Sequence, residues 1–265
     1  KGREAAPAVE EWPLDERFFS VPAFALEQCK GVLVRMAKLS HETMGLSLAV
    51  LEHFDAATVA RVMENEVALD RYEDKLGGYL VKLSTKQLLP QDSRRISEYL
   101  HVIGDLERIG DHAVNIIEVA EEMHGKGIHF SKAAEADLAV FIGALNEILT
   151  ITLDAFYNED AEKASWVEPL EDVIDALHAE LKARHVERLQ RGECTMELGF
   201  VLSDLLTNLE RVSDHCSNIA ACLIQTQQGS FNMHNYLASV KAAGSGDHED
   251  FVKRMQTYSE RFTLP

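Results

Sequence analysis

The sequence predicts an all-α protein built as two tandem three-helix bundles, a duplication, followed by short C-terminal helices. Three observations carry this. "DLERIGDHAVNI" (Asp105 to Ile116) lies over "NLERVSDHCSNI" (Asn208 to Ile219) at an offset of 103 residues, with seven identities, and self-similarity of this kind marks a repeated architecture. The six prolines, at Pro7, Pro13, Pro22, Pro90, Pro169 and Pro265, leave long spans between them. Apolar residues recur at helical spacings, and no strand-like alternation competes.

Residues 1–20 carry prolines and charge without a clean period, which predicts an N-terminal arm or linker. A tether of this kind lies outside the fold, and its removal should move stability little. From Pro22 the period turns helical through Phe24, Leu26, Val32, Leu33, Met36, Leu39 and Met44. Asp55 is placed to cap a second helix reaching about Ser84. "LPQDS" (Leu89 to Ser93) breaks the chain, and a third helix runs from about Arg94 to His124, ended by Gly125 and Gly127. The first bundle therefore covers residues 21–125.

The same order of events repeats over residues 126–229. Ser131 caps a fourth helix to about Tyr157, and Asn158 caps a fifth to about Arg191. Thr195 opens a sixth, which reaches about Gln228. Pro169 either kinks the fifth helix or marks its true start. Residues 230–265 add one or two short helices around "GSGD" (Gly244 to Asp247). Helices of about 30 residues are roughly 45 Å long, and short loops pack such neighbours antiparallel.

A net charge of −18 argues against nucleic acid, whose phosphates need clustered Lys and Arg. It argues equally against an anionic lipid surface. Cations are the natural partners. Cys29, Cys194, Cys216 and Cys222 show no CxxC spacing, so no zinc ribbon is signalled and a reducing compartment fits. The longest uncharged apolar run, "LAVFIGAL" (Leu138 to Leu145), falls short of the 18 or so residues needed to span a bilayer.

Each copy of the repeat holds an acid pair four residues apart, Glu107 with Asp111 and Glu210 with Asp214. Residues at i and i+4 lie about 40° apart on one helix face. Here they flank the apolar stripe of Leu106, Ile109, Ala113 and Ile117. The preceding helix of each half offers a matching pair, Glu66 with Asp70 and Glu171 with Asp175, at an offset of 105. Four carboxylates per half, on two adjacent helices, predict one cation cluster in each bundle. Such oxygens suit Mg²⁺, Mn²⁺, Ca²⁺ and iron, with zinc compatible. The competing reading is a solvated acidic face, with Arg108 and Arg211 supplying local pairing.

The combination resembles the PhoU family over about residues 22–228. "DLERIGDHAVNI" and "NLERVSDHCSNI" are similar to that family's metal-binding motif helices. The resemblance implies multinuclear metal, iron favoured and zinc, manganese or magnesium compatible, at Glu107, Asp111, Glu210 and Asp214, with Glu66, Asp70, Glu171 and Asp175 as weaker matches. Pro169 departs from the pattern. The resemblance also implies a non-enzymatic regulator of phosphate uptake, cytoplasmic at the inner face of the cell membrane and open to homo-oligomerisation. "LDERFFSVPAFALEQCK" and "SDHCSNIA" further resemble the cytosolic domain of bacterial sodium/phosphate cotransporters. On that reading a transporter core precedes Lys1 and is the partner in cis. The alternative is a free-standing PhoU-type regulator of an ABC phosphate importer, working with transporter and sensor proteins.

Other residues carry weaker signals. His112 and His215 repeat at matched positions, but His112 falls about 140° from Glu107, which predicts inter-helix hydrogen bonding. Asn115 and Asn218 continue the acid stripe, placed either to orient a carboxylate or to bond between helices. His178 and His185 are expected to be solvated, and Met36, Met44 and Met63 to fill the core. Asp74, eight residues after Glu66, is a fifth candidate acid that would give the first half the tighter site. Glu98 with His101, and Glu121 with His124, spell the ExxH of di-iron oxidases. Both lie on one helix, whereas such centres draw on two, and the second half keeps neither. An oxidase is therefore the less favoured reading.

Overall fold

The computed structural model describes residues 12–229, Lys241 and 246–265, and among them every regular element is helical. A 3₁₀ turn at Glu16–Ser20 leads into α1 (Pro22–Glu52), α2 (Ala56–Ser84) and α3 (Pro90–Lys126). The second set is α4 (Lys132–Asn158), the one-turn α5 (Ala161–Ala164), α6 (Val167–Gln190) and α7 (Met196–Gln227), with α8 at Gly246–Arg261. Helices α1, α2 and α3 pack together, as do α4, α6 and α7. The two bundles meet along α3 and α7.

The helix ends follow local chemistry. Asp55, Ser131 and Thr195 each accept a backbone N–H from the first turn that follows, satisfying donors with no intrahelical partner. Gly127 closes α3 at φ 63°, the left-handed conformation that glycine adopts without strain. The sequence-predicted start of α3 near Arg94 is corrected to Pro90, because a proline at the first helical position loses no hydrogen bond.

The fifth helix also differs from its expectation. Asn158 does not cap it; α4 runs through Asn158, and Glu159 turns left-handed at φ 52°. Asp160 then caps α5, accepting the Lys163 N–H, and α6 starts afresh at Val167. Pro169 stands third in α6, where its missing N–H costs nothing. It marks the helix start rather than a kink.

Residues 12–20 are not a free tether. Trp12 packs edge-on to Tyr72, Phe19 packs on Tyr79, and the Tyr79 hydroxyl donates to the Asp15 carbonyl at 2.9 Å. The arm covers α2, so that Tyr72 and Tyr79 are buried. Residues 1–11 lie outside the described residues. So do 230–240 and 242–245, where a further short helix was expected; α8 itself begins within "GSGD".

The repeat is visible in the core. Leu106, Ile109, Ala113 and Ile117 of α3 are buried, as are their counterparts Leu209, Val212, Cys216 and Ala220 of α7. Helix α4 is apolar and long enough by composition to cross a bilayer, longer than its uncharged run Leu138 to Leu145 suggests. Half of its apolar window is buried in the second bundle, as befits a core helix. Met36 and Met44 fill the core, but Met63 is 43 % exposed on α2, against expectation.

Candidate metal centres

The repeated histidines join the two halves. His112 Nδ1 and Asn115 Nδ2 both lie 2.9 Å from Asn208 Oδ1. Reciprocally, His215 Nδ1 lies 2.9 Å and Asn218 Nδ2 3.3 Å from Asp105 Oδ1. Because Asp105 and Asn208 occupy matched positions in the repeat, the α3–α7 seam is a pseudo-twofold hydrogen-bond lattice. The expected inter-helix role of the histidines is met. The asparagines share it.

The acids lie on the other side of α3 and α7, facing α2 and α6. In the second half, carboxylate oxygens of Glu171, Asp175 and Asp214 come within 4.8 Å of one another. Among the described residues, the buried Glu171 Oε2 accepts no hydrogen bond, its counter-charge being Lys241 Nζ at 3.8 Å, and an acceptor left so is costly. Burial, with Glu168 and Asp175 adding repulsion, pushes Glu171 up to about 8. Burial and then Asp214 raise Asp175, and burial and then Asp214 raise Glu210. All four predicted acids thus share one electrostatic neighbourhood, and a cation there would relieve both desolvation and like-charge repulsion.

The first half gathers its acids more loosely. Burial, then Asp70 and Asp111, raise Glu66. Burial pushes Glu107 up to about 7, with Asp111, Glu73 and Asp70 contributing repulsion. The Leu69 side chain lies over Gly110 beside these acids: a Cβ there would stand 2.6 Å from Leu69 Cδ1.

Arg108 spans Glu107 and Asp111 at 3.6 and 3.4 Å, and Arg211 spans Glu210 and Asp214 at 3.6 and 2.8 Å. The local pairing anticipated from sequence is therefore present in both halves. Both arginines are more than half exposed, and such pairs are worth little.

Two site expectations are corrected, and the ExxH pairs stay apart as the sequence led one to expect. Glu73, not Asp74, is the further acid coupled to Glu107. His185 is buried, with its ring beside Gly199 and Cys194, and His178 is half-buried near the Phe141 ring, so neither is simply solvated. The ExxH pairs do not converge. Glu98 lines a small open pocket with Lys30 and Glu159, whereas His101 lines a groove with Glu73 and Glu107. His124 stacks on Phe54.

Two residues near the second cluster carried no sequence signal. Glu168 is buried beside the Ser217 hydroxyl, which donates to it. Lys241 reaches Glu168 and Asp172, each at 2.7 Å. An offset of 105 would have aligned Glu168 and Asp172 with Met63 and Val67, hinting that the halves differ there.

The PhoU domain family matches residues 33–120 and 143–223, one stretch in each bundle. The chain belongs to the PhoU family. All eight predicted acids lie inside the matched stretches. The chain is 27 % identical over 219 residues to the phosphate-specific transport system accessory protein PhoU homolog 1 of Thermotoga maritima, covering 82 % of this chain and 93 % of that protein. It is 24 % identical over 198 residues to the Rhizobium meliloti PhoU homolog, covering 74 % and 82 %. In fold it resembles the crystal structure of PhoU from Pseudomonas aeruginosa, with TM-score 0.73 at 22 % identity over 80 % of this chain and all of that one. The phosphate transport system regulatory protein PhoU of Streptococcus pneumoniae gives 0.71 at 18 %, over 80 % and 99 %.

Proposed function

We propose that this chain is a PhoU-type accessory regulator of phosphate transport, acting through carboxylate-bound metal rather than catalysis. The observation that carries the regulatory reading is the match running through both bundles and along 93 % of a relative named as a transport-system accessory protein. That favours the accessory-protein reading over the cotransporter-domain reading. On this reading the chain works at the inner face of the cell membrane, against components of a phosphate transport system.

The metal reading rests on the donor set. Glu171, Asp175 and Asp214, with Glu210 beside them, would hold a hard or borderline cation in the second half; Glu66, Asp70, Glu107 and Asp111 would do so in the first. The orphaned Glu171 Oε2 fits this. A bound cation would supply charge neutralisation and would brace α2 to α3 and α6 to α7. The α3–α7 seam would then carry one half's metal state to the other.

Phosphate uptake tests the regulatory reading. In cells lacking this chain, radiolabelled phosphate uptake should lose its response to external phosphate and regain it when the chain is restored. Uptake that responds equally with and without the chain would defeat the proposal.

A further inference from the structure

One difference between the two halves lies beside the second acid cluster. Glu168 and Asp172 of α6 flank Glu171, whereas their first-half counterparts are Met63 and Val67, 43 % and 47 % exposed. Two extra carboxylates beside an already crowded acid cluster demand a counter-charge. Lys241 supplies it. Its Nζ lies 2.7 Å from Glu168 Oε1, 2.7 Å from Asp172 Oδ1 and 3.8 Å from the orphaned Glu171 Oε2. Glu168 is itself fixed from the opposite side by Ser217 of α7. The ammonium therefore sits in a built seat rather than on a flat acidic surface.

Glu171 belongs to both groupings of ligand atoms, with Glu168 and Asp172 on one side and with Asp175 and Asp214 on the other. A cation bound by Glu171, Asp175 and Asp214 would have the Lys241 ammonium close by, and like charges at that range repel. We propose that Lys241 is an internal counter-cation that competes with metal at the second cluster, so that the α2–α3 cluster loads first. The α6–α7 cluster then loads fully only when Lys241 withdraws. The lysine stem lies 41 % exposed, so it can leave without opening the core.

This inference rests on the metal reading above, and the test separates the two. Mn²⁺ serves as an air-stable oxygen-seeking probe, titrated by the electron paramagnetic resonance of the free ion. The parent is Glu107→Gln with Asp111→Asn, which isolates the second cluster; the comparison adds Lys241→Met, which keeps the stem and removes the charge. The added change should tighten Mn²⁺ binding tenfold or more. Equal affinity in the two proteins overturns the competition and leaves the metal reading intact. No Mn²⁺ binding by either protein, or by the unaltered chain, overturns both. A second measurement uses the unaltered chain. Acylation of Lys241 by an amine-reactive reagent, read by mass spectrometry, should rise several-fold once Mn²⁺ saturates the protein. Unchanged labelling at saturation overturns the proposal.

Discussion

Glu98 gives a pH dependence whose sign follows from its burial. It is 5 % exposed on α3, lining a cavity of about 130 Å³ where α1, α3, α4 and α7 approach. Burial pushes its carboxyl from 4.5 up to about 7, against the pull of Arg95 and Lys30. A raised folded-state pKa means that the native protein holds this proton more tightly than the unfolded chain does. Its contribution is therefore complete below about pH 4.5 and is lost as pH rises through 7. At about 1.4 kcal/mol per unit, a shift of this size is worth roughly 3 kcal/mol. Glu98→Gln stays neutral throughout. Urea unfolding of both proteins across pH 4.5 to 8 should show near-equal stability at the acid end, with the variant ahead by about 2–3 kcal/mol at pH 8. Using the difference between the two proteins cancels the other raised acids, Glu107 and Glu171 among them. A difference that stays constant with pH would refute the reasoning, because it would mean that Glu98 ionises freely in the fold.

Three further outcomes follow from packing. Gly110→Ala should lower stability by about 1–2 kcal/mol net, since overpacking against Leu69 outweighs the better helix propensity of alanine; thermal unfolding measures it, and a rise in midpoint would show that Leu69 can move aside. Asn208→Ala leaves His112 and Asn115 without their shared acceptor and should cost about 1–3 kcal/mol, whereas Asn208→Asp should raise the His112 pKa seen by NMR. Deleting residues 1–20 should cost more than about 2 kcal/mol, because Tyr72 and Tyr79 lose their cover; a midpoint left in place would restore the tether reading.

Much of this architecture is written locally. Asp55, Ser131, Thr195 and Gly127 act within one helical turn, so the ends they set are legible without tertiary knowledge. The α4–α6 connection is not. "NED" at 158–160 offers neighbouring candidate caps, and the choice of Asp160 goes with Glu159 adopting φ 52° while Lys30 and Arg95 hold its carboxylate. Those cations come from α1 and α3, more than 60 residues away in sequence. The eight acids were legible because a duplication repeats them in register. Glu73 was legible too, since an i+7 step from Glu66 returns to within about 20° of the same face, whereas Asp74 at i+8 swings about 80° away. Lys241 was not, since nothing local to a lone lysine names the carboxylates it reaches. The tether expectation failed for a similar reason: aromatic residues without helical period can still pack, as Trp12 and Phe19 do.

The central claim is that the repeated acids hold metal. Elemental analysis of metal per chain, on protein loaded with iron or manganese and freed of excess ion, tests it most directly. Glu107→Gln with Asp111→Asn should remove the first-half share, Glu210→Gln with Asp214→Asn the second-half share, and all four changes together nearly all of it, while circular dichroism confirms retained helix. Metal per chain that stays the same in all three variants would contradict the account, leaving these acids as a solvated face paired to Arg108 and Arg211.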